Sequence, residues 1–112
     1  MRLEGKEILF RLLNKNRGNA KLSKAIHQLI QDLENAEISS MNEISLIRRD
    51  AEKVHSSGYY FVNIHIHRTL ILVTIEDQEA TIAWVGNHQD YERIFKNNKK
   101  SIEKWLKNND LL

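Results

Sequence analysis

Tyr59-Tyr60-Phe61-Val62-Asn63-Ile64-His65-Ile66 decides the fold class, together with the run that follows it, Thr69-Leu70-Ile71-Leu72-Val73-Thr74-Ile75. The first stretch alternates, with Tyr60, Val62, Ile64 and Ile66 on one strand face and Phe61, Asn63, His65 and His67 on the other. The second is an almost unbroken run of β-branched residues and leucine, as expected of a strand covered on both faces. Glu76-Asp77-Gln78-Glu79 is a polar turn, residues 80–85 read as the next strand, and Gly86-Asn87 ends it. Three strands joined by short links predict an antiparallel meander. The segments before it must then cover one of its faces.

Those segments are helical in pattern. Ile8, Leu9, Leu12 and Leu13 share a face, and Gly18 and Asn19 supply a left-handed stop and the cap of the next helix. Leu22, Ala25, Ile26, Leu29, Ile30, Leu33 and Ala36 then build a continuous apolar stripe, with His27 beside it on the helix surface. Ser40-Met41-Asn42-Glu43 reads as a capping box, opening a short third helix with Ile44, Ile47, Ala51 and Val54 on one side. Arg48-Arg49 reads as its solvated end. Beyond Gly86, Tyr91, Ile94 and Phe95 suggest one helix and Ile102, Trp105 and Leu106 another, with Asn97-Asn98 as the joint. Tyr59 and Tyr60 read as strand residues and Trp84 as core. No repeat or linker interrupts the chain, which predicts one α+β domain over residues 1–112.

Composition narrows the class. The chain has 112 residues and no cysteine, so disulfides and thiolate metal sites are ruled out and a reducing cytoplasm is the expected setting. Met1 to Lys6 lacks the apolar stretch of a secretory signal, and no run approaches a membrane span, so no membrane partner is expected. Net charge is +2, but it is unevenly placed. Residues 1–24 carry seven Lys/Arg against two Glu, residues 25–92 four against eleven acids, and residues 93–107 six against Glu103. If the two basic ends meet, they form one positive surface suited to a polyanion. The plainer reading is solvated faces of ordinary helices.

The residues able to do chemistry gather in the second half. His88 and Tyr91 follow a strand end directly, and Arg68 opens the preceding strand. In an antiparallel hairpin the start of one strand lies beside the end of the next, so Arg68 and His88 should be neighbours. Cutting RNA without a metal requires a 2′-hydroxyl to be activated, charge on phosphate to be stabilised, and the departing 5′-oxygen to be protonated. Histidine moves protons near neutral pH, arginine clamps phosphate, and tyrosine donates a hydrogen bond or stacks on a base. As bare residues, a His and a Tyr at a strand end serve structure as readily as chemistry.

Two stretches carry a family resemblance. Trp84-Val85-Gly86-Asn87-His88-Gln89-Asp90-Tyr91-Glu92 resembles the ending of HigB-type toxins of the RelE/ParE superfamily, where a strand runs into G-T-H-x-x-Y-D. Asn87 stands in place of Thr and Glu92 in place of Asp. Phe61-Val62-Asn63-Ile64, a turn, then Arg68 and an apolar strand are similar to the family's V-F-N-I…Y-R-L-V-V, with His67 where Tyr is usual. Together with Met1-Arg2-Leu3-Glu4-Gly5 and the two leading helices, the resemblance spans most of residues 1–95, leaving residues 96–112 as a helical extension.

The resemblance implies a RelE-like fold: N-terminal helices packed on a mainly antiparallel sheet of three to four strands, with an N-terminal strand from Arg2-Leu3 and one or more C-terminal helices. It implies the toxin of a type II toxin–antitoxin system, an mRNA interferase that cuts mRNA on the ribosome without metal or organic cofactor. The partners would be mRNA, rRNA and a helix-turn-helix antitoxin of the HigA kind. Carried over, Arg68 is the phosphate ligand, His88 the acid/base group and Tyr91 its neighbour at the scissile site. Lys53 and His55 match positions where these toxins place basic groups. His65, His67, Arg93, Lys96, Lys99 and Lys100 complete the expected RNA-facing set.

Other readings stay open. Ala83 stands where the family often carries a basic residue, and the charge is modest for a ribosome-bound protein. A non-catalytic RelE-like module that engages an antitoxin or other partner would keep the fold and the antitoxin-binding surface and act through protein or rRNA contacts. His65-x-His67 on one strand face, with His88 near, could hold zinc in a metal hydrolase. The basic tail could grip rRNA, bind an antitoxin, or pack Trp105 onto the domain.

Overall fold

The computed structural model describes residues 1–112. The alternating stretch forms β3, Tyr59–Ile64, and the apolar run lies in β4, His67–Thr74. With β1 (Arg2–Glu4), β2 (Glu52–His55) and β5 (Glu79–Asn87) they make one sheet in the order β1-β5-β4-β3-β2. β1 runs parallel to β5, and every other pair is antiparallel. The meander is as expected, but the sheet has five strands rather than three or four.

Strand alternation divides the interior in two. Tyr60, Val62 and Ile64 pack beneath α1 (Lys6–Lys15) and α2 (Ala20–Glu34), among Leu9, Leu22, Ile26, Leu29 and Leu33. Tyr59 and Phe61 point the other way. They meet Tyr91 and Phe95 of α4 (His88–Phe95) and Ile102 and Leu106 of α5 (Lys99–Asn108). β4 feeds both layers, with Leu70 on one side and Ile71 and Val73 on the other, as its unbroken apolar run requires. A register shift between Leu70 and Ile71 accompanies the change.

The tail therefore has a packing role. Ile102 and Leu106 are buried, and Trp105 meets Phe95 edge-on with ring centroids 5.3 Å apart. The same arrangement corrects the charge expectation. The basic N-terminal helices and the basic tail lie on opposite faces of the sheet and do not form one positive surface.

The third helix is the main misreading. Only α3, Ile44–Ile47, is helical, preceded by a 3-10 turn over Met41–Glu43. Ala51 and Val54 do not continue it: Arg48 is extended, and Val54 lies in β2. The spacing of Ile44, Ile47, Ala51 and Val54 mimics a helix face, but a distant ion pair overrides it. The Arg48 guanidinium bonds Asp32, Asp50 and the Asn63 carbonyl, while Asp50 accepts from the Asn63 N–H. Those bonds lead the chain to the sheet edge. Arg48 is half-buried, not a solvated helix end, whereas Arg49 is exposed. The capping residues do hold: Glu43 accepts from the backbone N–H groups of Ser39 and Ser40, and Asn19 caps α2 after Gly18 at φ 87°.

β3 also ends two residues early. His65 has φ 61° and forms a turn with Ile66, so His65 and His67 flank a reversal and do not share a strand face. The strand-face premise of the zinc reading fails there, and no three His, Asp or Glu side chains converge to a metal-binding cluster. No helix is long and apolar enough to cross a membrane.

Candidate active site

The start of β4 and the end of β5 make the rim that carries Arg68 and leads into His88. Arg68 pairs with Gly86 and His67 with Asn87. A Cβ on Gly86 would lie 2.4 Å from the Trp84 ring, so glycine there lets the indole fold against the strand. The Asn87 side chain then accepts from the Asp90 N–H at 2.8 Å and starts α4 at His88. Asn is as good a cap as the Thr of the family pattern, so this departure preserves the local geometry.

The first turn of α4 sets His88 and Tyr91 three residues apart on one face, their rings 13° from parallel with centroids 6.2 Å apart. Tyr91 is buried and His88 exposed. Arg68 lies over Tyr91 and Phe61: its guanidinium carbon is 4.5 Å from the Tyr91 ring centroid and 5.0 Å from that of Phe61. One end of the guanidinium holds Glu52 of β2 at 2.9 Å, and Nε is buried without a hydrogen-bond partner. Two aromatic faces and a carboxylate thus fix a permanent cation at the rim. Tyr91 donates its hydroxyl proton to Asn97 Oδ1 at 3.0 Å. Burial pushes the phenol above its ordinary value, more than nearby Arg68 draws it down, so the phenol keeps the proton it donates.

Arg68 and His88 open into a cleft of about 420 Å³, lined also by Asn63, His65, Ile66 and His67. Three imidazoles and a guanidinium thus share one opening. Burial, and then the charge of His65, push His67 below the ordinary imidazole value, against a smaller opposing effect of Asp90. Its Nδ1 is buried and makes no hydrogen bond.

That depression has a stability consequence. Above the ordinary value of 6.5, His67 is neutral in folded and unfolded chains alike. As pH falls through that value, the unfolded chain takes up a proton that the folded one resists, so stability drops. The melting temperature should fall between pH 7 and pH 5, and His67→Tyr should flatten that fall. Equal slopes in parent and variant would remove His67 as the cause.

The remaining expected RNA-facing residues are dispersed. Lys53, His55 and Lys99 line a second cleft of about 410 Å³ between β2 and α5, with Glu103 among them. Arg93 and Lys96 flank a third near Trp105, where Arg93 pairs with Asp90, and Lys100 lies along α5 with Lys104 and Lys107. Sequence reasoning missed Glu52, hidden in the misread helix, and Asn97, which read only as a joint. Phe61 showed as a strand residue, with no sign that it would floor an arginine.

Helices on both faces of a five-strand mixed sheet form the α+β frame that carries these side chains. Residues 22–94, more than half of the chain, match the model of the HigB toxin family, described as the RelE-like toxic component of a toxin–antitoxin system. The chain belongs to that family. It is a toxin of a toxin–antitoxin system, and an antitoxin is its partner. No curated protein gives a significant match.

Proposed function

We propose that this toxin is an endoribonuclease that cuts mRNA on the ribosome. The observation that carries the reading is the fixed Arg68 beside exposed His88 in a cleft lined by two more imidazoles. In the proposed reaction the ribose 2′-hydroxyl loses its proton to a base and attacks the adjacent phosphorus. The bond to the 5′-oxygen breaks, and His88 as general acid supplies that oxygen with a proton. The products are a 2′,3′-cyclic phosphate and a 5′-hydroxyl end. His67, kept neutral by burial, is in the right form to accept a proton in the same cleft. Arg68 neutralises charge on the phosphoryl oxygens, for which Glu52 must give way.

The open cleft and the net charge of +2 favour a substrate presented by a larger assembly. Phosphate contacts dominate RNA affinity, and this chain offers few at one place. The ribosome supplies that presentation, in the cytoplasm, and the dispersed Lys53, His55, Arg93, Lys96, Lys99 and Lys100 would meet rRNA and not the scissile bond. We assign the partner to the helix-turn-helix antitoxins of the HigA kind.

The Glu52–Arg68 pair supports a second reading, a non-catalytic module whose arginine is held internally. One experiment separates the two. On induction, growth should stop and new 5′ ends should appear within coding regions, and His88→Ala should abolish both while the protein still folds. Growth arrest with an unchanged pattern of 5′ ends would favour the binding module.

A further inference from the structure

α4 and α5 meet at an unusual corner. Lys96 and Asn97 both adopt left-handed backbone, at φ 53° and 47°, without a glycine between them. Two consecutive L-residues there are strained, and such strain persists only where the surroundings impose it. Helix termination does not demand it, since one left-handed residue after Phe95 suffices and Asn98 already caps α5 through the Lys100 and Ser101 N–H groups. What the second left-handed residue achieves is direction: it turns the Asn97 side chain back to the buried Tyr91 hydroxyl.

We infer that Asn97 is a positioning residue for the reaction proposed above, locking the Tyr91 ring on which the Arg68 guanidinium rests. The inference rests on the nuclease reading. Tyr91 reaches Arg68 with its ring face and Asn97 with its hydroxyl, so one side chain links the elbow to the phosphate ligand. Phe61 supports the same guanidinium but has no polar tether, so only Tyr91 can be fixed by a hydrogen bond. With Asn97 removed, the phenol must seek another partner and the ring is free to tilt. Displacing a catalytic group by about 1 Å costs on the order of 100-fold in rate. The C-terminal extension is thereby tied to the active site through Asn97.

The test compares Asn97→Gly, which removes the acceptor and tolerates the backbone, with Asn97→Asp, which restores an acceptor oxygen in a residue that also accepts left-handed backbone. On ribosomes programmed with a defined mRNA, Asn97→Gly should lower kcat roughly 10- to 100-fold with KM within about twofold, and Asn97→Asp should recover most of it. Tyr91→Phe should match Asn97→Gly, and the double variant should lose no more. A second readout needs no activity: the Arg68 Nε–H resonance should broaden in Asn97→Gly and sharpen again in Asn97→Asp. Parent-like cutting by Asn97→Gly, or losses that multiply in the double variant, would overturn the inference. If the parent cuts nothing, the nuclease reading fails by itself. An Arg68 resonance indifferent to Asn97 then removes the positioning link as well, while one that responds keeps the link as a property of the binding surface.

Discussion

Arg68→Ala should slow mRNA cutting by about 10²–10³-fold if the proposed reaction holds, the usual loss when a fixed donor to a developing oxyanion is removed. Arg68→Lys should recover little of that, although it restores the charge. The reason lies in how the side chain is held. The guanidinium lies over the rings of Phe61 and Tyr91, at 5.0 and 4.5 Å, and its planar fork becomes available to phosphate once Glu52 gives way. An ammonium is a compact, strongly hydrated point charge that cannot stack in that slot or hold two phosphoryl oxygens at once. Loss of the cation–π contacts should also lower stability by about 0.5–2 kcal/mol, too little to unfold an ordinary domain. Cutting rates therefore need to be compared well below each variant's melting temperature. A lysine variant that cuts like the parent would mean that the arginine supplies only charge, and that the geometry around it is incidental.

Much of that geometry could be read before any coordinates. Hairpin logic alone put Arg68 beside the end of the next strand, and the register pairs it with Gly86, two residues from His88. The apolar stripe of α2, the Asn19 cap and the joint at Asn97-Asn98 are local signals, and each holds. The N-terminal strand β1 came from resemblance, since three residues carry no period of their own, and its parallel pairing with β5 was not read at all. What escaped was long-range. The residues of β2 fit a helical spacing, and only the pairing of Arg48 with Asp32, Asp50 and Asn63 pulls them to the edge. Glu52, the partner of Arg68, was lost with them. His65-Ile66 looked like a continuing strand because alternation says nothing about where a chain reverses. The left-handed residue that reverses it is a histidine, with no glycine or proline to announce the turn.

The same division of the sheet into two apolar layers sets the largest stability effect. Phe61→Ala should destabilise the chain by about 3–5 kcal/mol, the cost of a cavity left by a fully buried aromatic ring. Phe61 is wholly inaccessible and meets three rings edge-on: Tyr91 at 5.1 Å, Phe95 at 5.2 Å and Trp84 at 6.3 Å. Those contacts join β3 to β5 and α4, so the surroundings cannot close the void without moving the helix that carries His88. A fall in melting temperature of roughly 10–25 °C should follow in a chain of this size. The site should suffer separately, because Phe61 is also one of the two faces under Arg68. Val62→Ala is the control, one residue along and equally buried, but pointing into the layer beneath α1 and α2. It should lower the melting temperature while leaving the cutting rate per folded molecule unchanged, whereas Phe61→Ala should lower both. If the two variants reduce the rate alike, the layers are not independent and the arginine does not depend on the ring beneath it.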